Sequence, residues 1–339
     1  MLNEVNAKKI IRKIIKRSFF DYFIDKKEPD TQHILLAKLF PDEMRTSSII
    51  QGIQTSLGTT LWEKIALEFA LNSGFKVLNP RELLLRPNPI PNEIVILIEK
   101  YRVRREDPNS NIKLSVFSED LARLIKKVKI SKEIKFEPLI KGSGADIFLT
   151  RGKNEFAFDL KTVQINAGSG PKFNQTFLYW IAFRSVYNLV LDTRSKNFKA
   201  FLAIPYNPYI NSDWWTQMKG RAYPLDINDI MVGDTFWNFV ANNNNAGNWL
   251  NQEIISLNDS GFSDIYKGLL KGNTLDKSIN LVISQFNVSH KSKISSSTDL
   301  NSRLIWECKS CGQNFEKKLN WFKKNHACIH CSTNFGKIV

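Results

Sequence analysis

Asp146, Asp159 and Lys161 stand at a spacing that phosphodiester chemistry can use, within the run GSGADIFLTRGKNEFAFDLK over residues 142–161. Apolar residues alternate at Ile147 and Leu149 and again at Phe156, Phe158 and Leu160, with Gly152, Lys153 and Asn154 between the two runs, so the pattern predicts a β-hairpin. A strand's two-residue period then sets Asp159 and Lys161 on one face and Phe158 and Leu160 on the other, charge on one side and core on the other. If Asp146 opens the partner strand, its carboxylate approaches Asp159 at the same end of the sheet. Two such carboxylates can hold one or two Mg²⁺ ions, which polarise a phosphoryl oxygen and lower the pKa of a water. An adjacent ammonium can orient that water, help deprotonate it, or neutralise charge building on the phosphate. The bare D-x12-D-x-K spacing fits equally an exposed strand face carrying an Asp-Lys pair.

The second chemical motif is Cys308-x2-Cys311 and Cys328-x2-Cys331, separated by sixteen residues and comprising all four cysteines of the chain. Two Cys-x-x-Cys turns at this distance can close a tetrahedral four-thiolate Zn²⁺ site of the zinc-ribbon kind. In so short a segment the metal supplies folding energy that a small core cannot, with Trp306, Phe315, Leu319 and Phe322 packing around it. His326 and His330 are near enough in sequence to compete as ligands, and a redox dithiol is the other alternative. From Ser289 onward nine Lys and Arg face three Asp and Glu, which suits an auxiliary DNA-binding unit; a docking or purely structural role is the alternative.

Other elements must position these groups. Ile10, Ile11, Ile14, Ile15, Phe19, Tyr22 and Phe23 recur at three- and four-residue steps, predicting an amphipathic helix over 5–24 whose opposite face is basic, either solvated or laid on phosphates. A second helix is expected from Thr59 to about Ser73, with Gly74 as its stop. Pro80, Pro87, Pro89 and Pro91 predict an irregular connection, and Leu121, Leu124, Ile125 and Val128 a further helical stripe. After GSGP at 168–171 a helical pattern runs through Phe173, Phe177, Trp180 and Ile181, and Phe198 to Ile204 reads as a buried strand. Residues 289–302 are rich in Ser, Lys and Asn and poor in large apolar side chains, as a linker is. The expected organisation is therefore a catalytic-type domain over 1–288 that includes the N-terminal helical region, a linker over 289–302 and a zinc-binding module over 303–339.

The chain has 339 residues, 42% hydrophobic and 24% charged, as in an ordinary globular protein rather than a disordered one. Its 48 Lys and Arg against 33 Asp and Glu leave a formal charge of +15, which points to a polyanionic partner such as nucleic acid. No stretch approaches the roughly 18 uncharged apolar residues of a membrane span. The cation-interrupted start lacks the apolar core of a signal peptide, and clustered cysteines suit a reducing compartment, so the expected location is cytoplasmic, away from membranes.

The order strand, strand, helix, strand around the acid, hairpin, acid-x-Lys signature resembles the PD-(D/E)xK nucleases. That resemblance implies an α/β (α+β) fold, a central mixed sheet flanked by helices, to which this chain adds its small C-terminal zinc-binding module. Ala145 stands where the signature has proline, and Asp159 is the less common of its two acid options. The resemblance also implies a glutamate on a helix before the signature, for which Glu63 is the candidate. More narrowly, PDEMR at 41–45, the stretch 47–58 with the Trp62 helix, DLKTVQIN at 159–166, AIPYNPY at 203–209 and MVGDTFWNF at 231–239 are similar to the TdeIII-type restriction endonucleases over roughly 35–270. This implies Mg²⁺-dependent, site-specific cleavage of double-stranded DNA by a type II restriction enzyme, with Asp146, Asp159, Lys161 and Glu63 in its site. Gln164 and Asn166 are candidate neighbours of that site. A homodimer would give two active sites for two strands. A repair or recombination nuclease of the same fold and a non-catalytic zinc-dependent DNA-binding protein are the alternatives.

Overall fold

The computed structural model describes residues 2–25, 38–110, 112–128, 130, 133–162, 165–191, 197–270, 275–295, 298–299, 301–325 and 327–332. The chain opens with α1 (Glu4–Asp25) and α2 (Pro41–Leu57). Its middle runs through α3 (Glu63–Leu71), β1 (Lys76–Leu78), β2 (Leu85–Asn88), α4 (Asn92–Glu106), α5 (Leu114–Ile125) and β3 (Lys135–Pro138). Next come β4 (Ile147–Arg151), β5 (Asn154–Leu160), α6 (Ser169–Val190), β6 (Asn197–Ile204), α7 (Trp214–Ala222), β7 (Ile230–Val232) and α8 (Asp234–Ala241). It closes with α9 (Ala246–Asp259), α10 (Phe262–Leu270), α11 (Leu275–Gln285), β8 (Val288–His290), β9 (Leu304–Cys308) and β10 (Asn314–Lys317). These elements form two compact units, Met1–Asn3 with Trp62–Asn248 and Glu4–Leu61 with Trp249–Val339.

The first unit is built on a five-stranded mixed sheet in the order β1-β4-β5-β6-β7. β4 runs antiparallel to both of its neighbours, β1 and β5, whereas β6 runs parallel to β5 and β7 parallel to β6. The hairpin forms where the alternation places it. Arg151 pairs with Asn154 across a two-residue turn, and Gly152 at φ 59 takes the first central position, which favours glycine because L side chains rarely adopt that conformation. α6 crosses back over the sheet before β6, so the parallel pairing follows from a helical crossover.

Both faces of the sheet are covered, giving a helix-sheet-helix sandwich. On one face Phe148, Ala157, Phe198, Ala200 and Leu202 pack with Phe177, Ile181 and Ala182 of α6, and α4 and α5 extend this core with Ile94, Ile98, Phe117 and Leu121. On the other, Phe156 and Phe158 meet Phe236 and Phe239 of α8, with ring centroids 4.9–5.8 Å apart. The expected division of β5 into an apolar face and a charged face is therefore corrected. Glu155 and Ala157, in phase with Asp159, are fully buried, because α6 lies over that face and leaves only the strand's end accessible.

The second unit joins the two ends of the chain. Phe20, Phe23 and Ile24 of α1 share a core with Tyr266, Ile279, Phe286, Trp306 and Phe322. β8, β9 and β10 form an antiparallel three-stranded sheet in the order β10-β9-β8, so Ser289 and His290, at the start of the stretch read as a linker, lie in a strand. Arg12 of α1 pairs with the buried Glu253, and the Arg17 side chain donates to Asp21 and to the Phe322 carbonyl, so part of the helix's basic face has partners inside the unit. Among the described residues no helix is long and apolar enough to cross a membrane.

Candidate active site

Asp146 sits at the entry to β4 and is fixed there by main chain. Its N–H donates to the Phe158 carbonyl at 2.9 Å, and its Oδ2 accepts from the Leu160 N–H at 2.7 Å. Register thus delivers the first acid to the exit of β5, where Asp159 stands opposite Leu202 of β6. The Lys161 N–H donates to the Ala203 carbonyl at 2.9 Å, which carries the β5–β6 ladder one residue further. Lys161 Nζ bonds Asp159 Oδ1 and lies 5.6 Å from the centroid of the Phe173 ring at the start of α6. Asp159 is mostly buried and Lys161 half-exposed, so the pair lies at the rim of the sandwich.

Glu63 heads α3, directly after a π-helical turn, Gly58–Trp62. The helix expected from Thr59 is therefore present, with a wider first turn. Trp62 packs against Tyr206, 5.8 Å away, and against Trp237, 6.0 Å away, and Trp237 Nε1 donates to the Pro205 carbonyl at 2.7 Å. These contacts tie the start of α3 to the exit of β6. Burial pushes the Glu63 carboxyl above its usual range, and the Asp146 charge adds to the effect. Burial likewise raises Asp146, with Asp159 acting in the same direction, against the Leu160 N–H and Lys161, which lower it. Glu63, Asp146, Asp159 and Lys161 are thus an electrostatically linked group at one end of the mixed sheet.

Sequence reasoning missed what lies beneath this group. Glu155, four residues before Asp159 on the same strand face, accepts from Arg184 Nε and Nη2, each at 2.7 Å, and Arg184 lies over the Tyr187 and Phe148 rings. The period-two phase was the available signal, because it places Glu155, Ala157 and Asp159 in register. The AIPYNPY segment leaves β6 and sets Tyr206 against Trp62. Asn166 is exposed, with its carbonyl accepting from the Ser169 N–H, while Gln164 lies outside the described residues.

The four cysteines converge in the second unit. Their sulfur atoms all lie within 4.8 Å of one another, and Cys311 Sγ is 3.6 Å from Cys328 Sγ. A tetrahedral ion with Zn–S bonds of about 2.3 Å needs sulfurs about 3.8 Å apart, so the spacing is that of a closed thiolate site. The Gln313 N–H draws the Cys311 thiol down, but burial and hydrogen bonds with the three neighbouring sulfurs outweigh it and push it up to about 12. The His330 ring nitrogen is engaged with the Asn314 carbonyl at 3.1 Å, and His326 lies outside the described residues.

A mixed α/β core that gathers carboxylates and a lysine at one sheet end is suited to hydrolysis of phosphodiesters. Residues 3–251 match the family described as "Type II restriction endonuclease, HinfI". The chain belongs to this family, and is a site-specific deoxyribonuclease acting on double-stranded DNA. The cysteine quartet falls outside the matched residues. No curated protein and no solved structure gives a significant match.

Proposed function

We propose that DNA cleavage takes place at a PD-(D/E)xK-type site in which Asp146 and Asp159 hold Mg²⁺, Glu63 adds a third carboxylate and Lys161 acts beside them. The observation that carries this reading is the main-chain lock on Asp146, which holds it at the exit of β5 beside Asp159 and Lys161. The donor set fits the ion. Carboxylate oxygens are the hard ligands Mg²⁺ prefers, and a divalent cation among them relieves the burial and mutual repulsion that raise Asp146 and Glu63. Bound Mg²⁺ supplies Lewis-acid stabilisation of charge on the phosphate and a lowered pKa for a neighbouring water.

The residues of the chain do the remaining work. Asp146, held by the Leu160 N–H through one oxygen, keeps its other oxygen for a ligand. Lys161 is held against Asp159 and the Phe173 ring, and its ammonium turns towards the attacking water or the scissile phosphate when DNA binds. Trp62, next to Glu63 in the chain, packs on the Tyr206 ring and so fixes the start of α3. In the second unit Cys308, Cys311, Cys328 and Cys331 would hold structural Zn²⁺, and four cysteines outside disulfides suit a reducing compartment such as the cytoplasm. Two copies of the chain would serve the two DNA strands, and the finer likeness to TdeIII-type enzymes rests on motifs spread over roughly residues 35–270.

Plasmid digestion with Asp159→Ala and Lys161→Ala proteins tests the assignment. Each is expected to lose roughly 10²-fold or more in cleavage rate while keeping the parental thermal transition. Folded variants that cut at the parental rate would sink the assignment while leaving the family membership intact.

A further inference from the structure

Outside the residues matched to the family, the C-terminal part of the second unit carries a groove lined mainly by cationic side chains. Arg303, Lys317, Lys318, Lys323 and Lys324 line it together with Trp321, Asn320 and Asn325, and among the described residues no carboxylate does. The fold makes this arrangement rather than chance exposure. β9 and β10 pair with Leu304 opposite Lys317, so Arg303 and Lys318 flank the same end of the sheet. The chain then enters a 3₁₀ turn, Leu319–Lys323, whose three-residue period sets Lys318, Trp321 and Lys324 on one side. Leu319 and Phe322, both fully buried, anchor the turn's other side, and the Trp306 indole N–H donates to the Lys317 carbonyl at 3.0 Å. Lys317 Nζ lies 5.8 Å from the Trp321 ring centroid, and Phe315 backs the indole at 5.6 Å. A rigid aromatic floor is thus ringed by cations on a platform built around the thiolate cluster.

We propose that this groove binds the phosphate backbone of double-stranded DNA without reading its sequence, supplementing the contacts made by the matched region. Duplex DNA presents one negative charge about every 1.7 Å along its axis, and a run of fixed cations releases counterions from it on binding. The half-exposed indole offers an apolar surface on which a deoxyribose can rest between phosphates. The proposal rests on DNA being the substrate but not on the roles given to Asp146, Asp159 and Lys161, and binding is read without cleavage, so the two can fail separately.

The test uses the full-length, zinc-loaded protein and a duplex of arbitrary sequence, with neither Mg²⁺ nor chelator added. Binding is measured between about 50 and 200 mM salt for the parent, for an Arg303→Ala/Lys318→Ala/Lys324→Ala variant, and for a Lys153→Ala/Lys199→Ala/Lys267→Ala variant of equal charge at exposed positions elsewhere. The first variant is expected to lower the slope of log affinity against log salt by about 2 to 3 and to weaken binding roughly tenfold or more, with the second close to the parent. An unchanged slope in the first variant, or an equal loss in both, overturns the proposal. If the first variant loses zinc, lysine-modification footprinting of unaltered protein decides: protection of Lys318 and Lys324 by the duplex supports the groove, and modification at the DNA-free rate overturns it.

Discussion

Asp146 owes its place to the hairpin register and its side-chain orientation to one hydrogen bond. Hairpin register brings two carboxylates thirteen positions apart to one sheet end, and the Leu160 N–H on Oδ2 then holds the Asp146 side chain there. Four residues before Asp159 on the same strand face, the Glu155–Arg184 pair is enclosed on all sides, so each ion depends on the other to offset desolvation. Glu155→Ala is expected to destabilise the first unit by about 3–5 kcal/mol, since it leaves the Arg184 guanidinium buried without its carboxylate. Urea unfolding of parent and variant measures this, and a midpoint unchanged within error would show the pair to be dispensable. Glu155→Gln, which keeps a hydrogen-bonding acceptor, should lose less.

At the scale of elements, α6 decides how the site is enclosed. It supplies Phe173 under Lys161 and Arg184 under Glu155, and its first turn presses on the loop after α7. A Cβ at Gly170 would stand 1.8 Å from the Tyr223 carbonyl oxygen and 2.5 Å from that of Ala222, so backbone would have to move to admit it. Gly170→Ala is accordingly expected to cost about 1–3 kcal/mol and to lower cleavage by displacing the N-terminal end of α6. Thermal unfolding and plasmid digestion should fall together; a variant with parental stability and activity would mean that the helix end yields freely. The buried Arg105, bonded to Asn174 of α6 at 2.7 Å and to Asp229 before β7 at 2.8 Å, fixes the same region from a third element.

Over the whole molecule, the two compact units differ in how they are assembled. The first is nearly continuous in sequence, while the second joins α1 and α2 to the last ninety or so residues around one core. Cys308 and Cys328 belong to that core together with Phe20 and Phe23 of α1, so a metal held by the proposed thiolate site would couple to packing of the N-terminal helix. Metal analysis of protein purified without chelator should find about one zinc per chain, and stripping it is expected to speed amide exchange in α1 as well as in β9 and β10. Faster exchange confined to the cysteine segment would break that coupling, and absence of zinc would remove the metal from the account.

The sequence by itself determined the local geometry. Alternating apolar residues with Gly152 between them specify the hairpin, and two Cys-x-x-Cys turns bring their own sulfurs together, because both depend on periods and spacings of a few residues. It also carried the resemblance that named Asp146, Asp159, Lys161 and Glu63 before any of them was placed. Tertiary structure alone decided the rest. That Glu63 comes within electrostatic reach of Asp146, that both faces of β5 are covered, and that α1 shares a core with the cysteine module all rest on the approach of residues distant in the chain. No short-range period encodes such contacts, since they are selected by which apolar faces can bury one another once the elements exist.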